Sequence, residues 1–312
     1  MKQNPISKIS LLLMAAVWLL AGCEHKELCF DHAHMVDLDI RFDWSEAPEA
    51  KPRTMVVQFF RMDGSFYASR ELPLAAGGKV RLEAGAYKLL FHNGETEFVK
   101  ESGDTYGGFR LLTKPQSILE PMGRSELSTL PPEAMAGEPV CGVPEEMWGG
   151  QYECIELQRG VDGQSVTLKP VELTSWYTIE VCNVENLDPL LDVSGALSGM
   201  AEGWRLADAV PAGEAVTLPF EVRRLYDEKK LVARFPAFGH CPAGEVKHTF
   251  FVYTSRQTYH RFDVTDQMHE VAEGEKEIHL VIDGLKLPPA TGGMTPSIDG
   301  WDDVVNNDIN MN

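Results

Sequence analysis

The sequence predicts an all-β protein with two sandwich domains in tandem. Apolar and polar residues alternate in short runs along most of the chain, turn residues interrupt those runs, and no segment sustains the 3.6-residue period of an amphipathic helix. The 290 residues beyond Gly22 (312 minus 22) exceed the usual size of one sandwich, so two are expected.

The first domain is expected over residues 35–164. Val36, Leu38, Ile40, Phe42 and Trp44 alternate with Asp37, Asp39, Arg41 and Asp43, which specifies a half-buried strand with one acidic face. Thr54 to Met62 is rich in Val and Phe, and Asp63-Gly64 supplies a tight hairpin before the returning strand Ser65 to Arg70. Lys79 to Leu82 and Ala86 to Phe91 are expected to form a second hairpin around Glu83-Ala84-Gly85. From Glu95 to about Gly163, Pro115, Pro121, Pro131, Pro132, Pro139 and Pro144 break regular structure, and this stretch reads as the long-looped second half of the same domain. Strand-like pieces, Phe109–Leu112 and Tyr152–Gln158, lie within it.

The junction is expected at Ser165–Pro170 and the second domain over residues 165–287. Tyr177, Ile179 and Val181 alternate with Thr178, Glu180 and Cys182, and further strands are expected at Val216–Val222, Leu231–Phe235, Val246–Thr254, Thr258–Val264 and Glu277–Ile282. The charges of Arg223–Lys230 suit a hairpin loop. Residues 288–312 form a turn-rich linker and a final strand. Trp301, Val305, Ile309 and Met311 stripe one side of that strand, which suits exchange with another subunit's sheet edge. A strand docked in cis and a disordered acidic tail are the alternatives.

At the other end, Lys2 and Lys8 precede an apolar run, Ile9 to Ala21, broken only by Ser10. That run is too short for a transmembrane helix and ends in small residues, as a signal peptide does. Leu20-Ala21-Gly22-Cys23 resembles the lipobox of bacterial lipoproteins. The resemblance implies a signal peptide over residues 1–22, an acylated Cys23 and a tether over residues 23–34 that holds the protein to a membrane. An ordinary secreted protein with a coincidental Cys23 is the alternative. Glu24-His25-Lys26-Glu27 resembles the surface-export signal of Bacteroidota lipoproteins, with a solvated tether as its alternative. The expected location is therefore the outer membrane, on the cell surface or on the periplasmic face.

Loss of Lys2 and Lys8 with the signal takes the net charge from −19 to −21. So acidic a chain is repelled by nucleic acid and by anionic lipid, which leaves the acyl chains to hold it at the bilayer. Five cysteines remain after Cys23, namely Cys29, Cys141, Cys154, Cys182 and Cys241, with no C-x-x-C spacing. Cys141 and Cys154 are the closest pair and flank a turn-rich segment, so they are the candidate disulfide.

Asp31, His32, His34, Asp37 and Asp39 suggest a metal cluster, but the histidines and the aspartates fall on opposite sides of a strand, and no metal site is assigned. His92, His240, His248, His260, His269 and His279 are scattered, and no nucleophile, zinc-protease or phosphate-loop motif occurs. A protein without catalysis or cofactor, other than covalent lipid, is the better reading. Trp44, Trp148, Trp176, Trp204 and Trp301 include potential sugar-stacking platforms, Trp148 first among them, so a surface glycan-binding lipoprotein is the alternative function.

Several segments together resemble the fimbrillin-like lipoproteins of Bacteroidota, which include anchor and minor subunits of pili. They are Cys23–Cys29 with the strand to Trp44, Leu82-Glu83-Ala84-Gly85-Ala86-Tyr87, Pro144–Trp148, and Ser194–Met200 after the strand ending in Asn183-Val184. Phe235–Gly239 and Phe262–Gln267 complete the set. The resemblance implies two transthyretin-like (Ig-like) β-sandwiches and a fimbrial anchor, minor subunit or assembly component in cell adhesion. It also implies pilus subunits or other surface proteins as partners.

Overall fold

A computed structural model describes residues 34–73, 75–123, 137–241, 246–272, 274–289 and 302–304. The expected all-β, two-sandwich fold is present. In the first sandwich β1 (Met35–Phe42) buries Val36, Leu38, Ile40 and Phe42, as its alternation requires. It pairs antiparallel with β4 (Gly77–Glu83) and parallel with β9 (Gln164–Leu168). The strand ends at Phe42. Trp44 opens a single 3-10 turn in which the Asp43 carboxylate accepts the Ser45 N–H, and its indole N–H donates to the Ala75 carbonyl at 2.8 Å.

The facing sheet has the order β10-β8-β5-β2-β3, comprising β2 (Met55–Arg61), β3 (Phe66–Leu72), β5 (Gly85–Asn93), β8 (Trp148–Leu157) and β10 (Val171–Glu172). The Asp63-Gly64 turn lies where expected, with Gly64 at φ +87° and the Asp63 carboxylate accepting from Ser65 N–H. The second expected hairpin does not form, because β4 pairs with β1 and β5 with β2 and β8. Glu83-Ala84-Gly85 instead carries the chain from one sheet across to the other.

The second sandwich packs a four-stranded sheet, β14-β15-β11-β18, against a larger one. The small sheet comprises β11 (Ser175–Glu185), β14 (Arg223–Leu225), β15 (Lys230–Ala237) and β18 (Glu277–Lys286). The large sheet is centred on β12 (Val193–Arg205), which pairs with β13 (Val210–Glu221), with β16 (Thr249–Thr254) and, at its end, with β7 (Arg110–Thr113). Beyond β16 lie β17 (Thr258–Asp263) and β19 (Asp302–Val304), and beyond β7 lies β6 (Val99–Ser102). A five-residue helix, α1 (Thr265–His269), follows β17. Tyr177, Phe220, Phe235 and Phe250 form a ring stack through the core, with Phe220 and Phe235 centroids 4.0 Å apart.

Two boundaries differ from the sequence reading. Residues 164–168 belong to the first sandwich through their parallel pairing with β1, so the chain crosses between domains at 173–175 and not at 164/165. The Gly- and Pro-rich stretch is divided: its hairpin β6–β7 completes the second domain's large sheet, and Val140 bridges Thr217 of β13. The expected disulfide is also absent. Cys141 is a buried thiol in the second domain's core, while Cys154 is an exposed thiol on β8 of the first.

Candidate functional site: the interdomain seam and the sandwich edges

The outer face of the five-stranded sheet is not solvated where the borrowed hairpin crosses it. Phe60 and Leu90 project from β2 and β5 and meet Val99, Tyr106, Phe109 and Leu111 of the hairpin, with Leu206 and Phe238 of the second domain behind them. Phe60 is fully buried and makes edge-on contacts with Phe66, Tyr106 and Phe109 at centroid distances of 5.7–6.2 Å. Gly203 permits the pairing of β12 with β7, because a Cβ there would collide with the Leu111 carbonyl. The two sandwiches therefore share a third core, and the hairpin fastens it.

Beside that core is a polar node. His92 Nδ1 faces the Asn93 carbonyl at 2.8 Å and Nε2 faces the Glu101 carboxylate at 3.0 Å, while Gln58 donates to the other Glu101 oxygen at 2.9 Å. The His92 hydrogen bond, with the added charge and the Gln58 amide, holds Glu101 below the usual carboxylate range against its partial burial. His92, Glu101, Glu71, Glu95 and Lys100 line an open cavity of about 290 Å³.

A larger hollow, about 600 Å³, opens at the side of the first sandwich between the edge strands β3 and β4. Arg70–Pro73 and Gly77–Arg81 line it, with the stems of Arg70, Lys79 and Arg81 beside Leu72 and Val80. Neither strand has a further partner in its sheet among the described residues. Two strand edges thus lie open along one flank, over the buried Leu72 and Val80.

The residues singled out in the sequence are dispersed. Cys23, His32, Trp301, Val305, Ile309 and Met311 lie outside the described residues. The backbone of Asp302–Val304, within the expected final strand, pairs parallel with Thr258–His260 in cis. His34 accepts from the Arg159 guanidinium at 3.3 Å, and Asp39 is paired with Arg41 at 2.7 Å, so neither converges on a common ion. Trp148 is half-buried on β8. The Trp176 face is already covered by the Arg234 guanidinium 3.9 Å from its ring, and Trp204 is packed into the interdomain core. Sequence reasoning missed the seam, since nothing local marks Phe60 or Phe109 as facing a second domain.

The domain of unknown function DUF5119 matches residues 22–221. The chain belongs to the DUF5119 family. No curated protein matches it. Among solved structures, this DUF5119 chain is similar to a candidate adhesin from Bacteroides ovatus, with 16% identity and a TM-score of 0.58 over 86% of this chain and 99% of that one. It is also similar to a candidate polysaccharide-binding protein (DUF1812) from Bacteroides thetaiotaomicron, with 10% identity and a TM-score of 0.53 over 80% and 90%. A third is the fimbrial anchor protein Mfa2 from Porphyromonas gingivalis, with 14% identity and a TM-score of 0.50 over 80% and 90%. At these identities the likeness is one of fold, and it spans both sandwiches of the DUF5119 chain. No described helix is long and apolar enough to cross a membrane.

Proposed function

We propose that this DUF5119 protein is a non-catalytic lipoprotein of the bacterial surface that acts as an anchor, minor subunit or assembly component of a fimbrium. The observation that carries the reading is the fold likeness, over 80–86% of this chain, to a fimbrial anchor and a candidate adhesin. The seam supports it, because a shared core lets a tether at one end and a partner at the other act through one stiff body. The hollow between β3 and β4 offers exposed edges for a subunit.

Acylated Cys23 holds the chain to the outer membrane. Cys23→Ser is expected to move the protein from the membrane fraction to the soluble one; retention in the detergent phase would remove the anchor from the proposal. Purified mature protein should capture fimbrial subunits of the bacterium that makes it, and failure to bind any of them would remove the fimbrial role.

One observation favours a second reading, saccharide binding: the similarity to the candidate polysaccharide-binding protein. Retardation in glycan-loaded gels, lost in Trp148→Ala, would support it.

A further inference from the structure

Among the described residues the small sheet of the second sandwich ends at β18, a ten-residue strand paired on one side with β11. On its other side stands the side chain of Gln267, from α1. Its amide donates to the Val281 carbonyl at 3.0 Å, and its oxygen accepts the Val281 N–H at 3.0 Å. A neighbouring strand would make the same pair of bonds. The helix is five residues long, so it has little stability of its own. What fixes it lies beneath it: fully buried Met268, and a cluster of three histidines.

His248 is fully buried, with its ring 5.6 Å from His240 and 5.1 Å from His269, near-perpendicular to both. Its Nδ1–H donates to the Ser198 carbonyl at 3.2 Å. Neither its Nε2 nor that of His269 has a hydrogen-bond partner among the described residues. The left-handed Gly199 (φ +74°) makes room for the cluster, since a Cβ there would fall 2.5 Å from His248 Nδ1. His240 Nδ1 lies 2.8 Å from the Tyr177 hydroxyl, and the same ring faces the Met268 carbonyl of α1.

Burial favours the neutral rings of His240 and His248 over their cations. The surrounding acids are already engaged or remote. Glu138 accepts from Gly199 N–H at 2.6 Å, and its own burial pushes it up, towards the neutral form. Asp263 accepts from Thr265 N–H at 3.0 Å, with Lys247 acting on it; its charge favours a cationic His248, but burial outweighs it and His248 stays lowered. Asp266 on the helix and Glu270 at its C-terminal cap are exposed, and Cys241 adjoins Tyr177.

We propose that the histidine cluster is an acid-released latch, which holds α1 over the free edge of β18 at neutral pH and lets it go on acidification, baring the edge. Burial, with His248 and His269 adjacent, lowers His240 from 6.5 to about 4. Burial lowers His248 as well. The closed form therefore binds fewer protons than the open one. Its advantage is complete above the ordinary histidine range and drains away as pH falls from 6.5 towards 4.

Hydrogen exchange of the mature chain tests this, with rates corrected for the intrinsic effect of pH. If opening returns His240 to 6.5, Val281 protection should fall about 30-fold between about pH 7.5 and about pH 5, while β2 and β5 stay protected. Gln267→Ala should abolish Val281 protection at both values. His269→Gln removes the ring that meets His248 and should shrink the ratio of Val281 protection between the two pH values, whatever it costs at neutral pH. Equal Val281 protection at both pH values would overturn the latch. So would loss spread equally over both domains, or an undiminished pH effect in a folded His240→Gln, His269→Gln double variant.

Discussion

Phe60→Ala tests whether the two sandwiches act as one body. The ring is fully buried in the shared core and meets three aromatic rings edge-on. Truncating a buried Phe costs about 3–5 kcal/mol, the transfer of the ring plus the void it leaves. Aromatic pairs of this geometry contribute roughly 0.5–1.5 kcal/mol each beyond area, so three of them place Phe60 towards the upper part of that range. Nearly all of this loss falls on the seam, because the ring points away from the first domain's own core, where neighbouring Phe59 sits. The expected result is a melting point lower by on the order of 10 °C, and a single transition split into two. Differential scanning calorimetry reads both, and Phe59→Ala is the control that weakens the first sandwich alone. A Phe60→Ala protein that still melts in one transition, with a loss under about 1 kcal/mol, would refute the shared core.

Gly203→Ala places a Cβ against the Leu111 carbonyl and should cost about 1–3 kcal/mol, with exchange protection lost first in β6 and β7. Glu101 is held below its ordinary range in the folded state, so the stability it contributes is present above that range and is lost as pH falls through its folded value. Glu101→Gln should accordingly flatten the acid limb of a stability-versus-pH curve, and an unchanged limb would show that the node carries none of it. Deleting Ile298–Asn312 removes the short pairing of β19 with β17. Three paired residues predict a loss of no more than about 1–3 kcal/mol, measured by thermal melting. A larger loss with new dye-binding surface would mean that the tail covers more of the sheet than those three residues.

The errors of the sequence reading share a cause. β1 was legible because its acid–apolar alternation needs no knowledge of partners, and the Asp63-Gly64 turn because its geometry is local. β12 was recognised only as a familiar segment, Ser194–Met200. It is buried along nearly its whole length, with strands on both sides, and its glycines and serines carry no alternation to read. Lys79–Phe91 has the pattern of a hairpin whether its strands pair with each other or cross between sheets, and only the non-local register of β4 with β1 decides between them. The parallel pairing of β9 with β1 moved the domain boundary for the same reason.

The histidines carry this furthest. Residues 240, 248 and 269 have no spacing that marks a site, and each alone reads as a surface or core residue. They meet because β12 bulges between Leu197 and Met200, placing Gly199 under His248, and because β17 turns into α1 where Asp263 and Thr265 hydrogen-bond. The same bulge leaves Gly199 N–H free of the ladder to be met by Glu138 from the Pro-rich stretch. A sequence pattern encodes which face of a strand is buried. It does not encode where a ladder is broken, and in this chain the break in β12 is what gathers the titratable side chains.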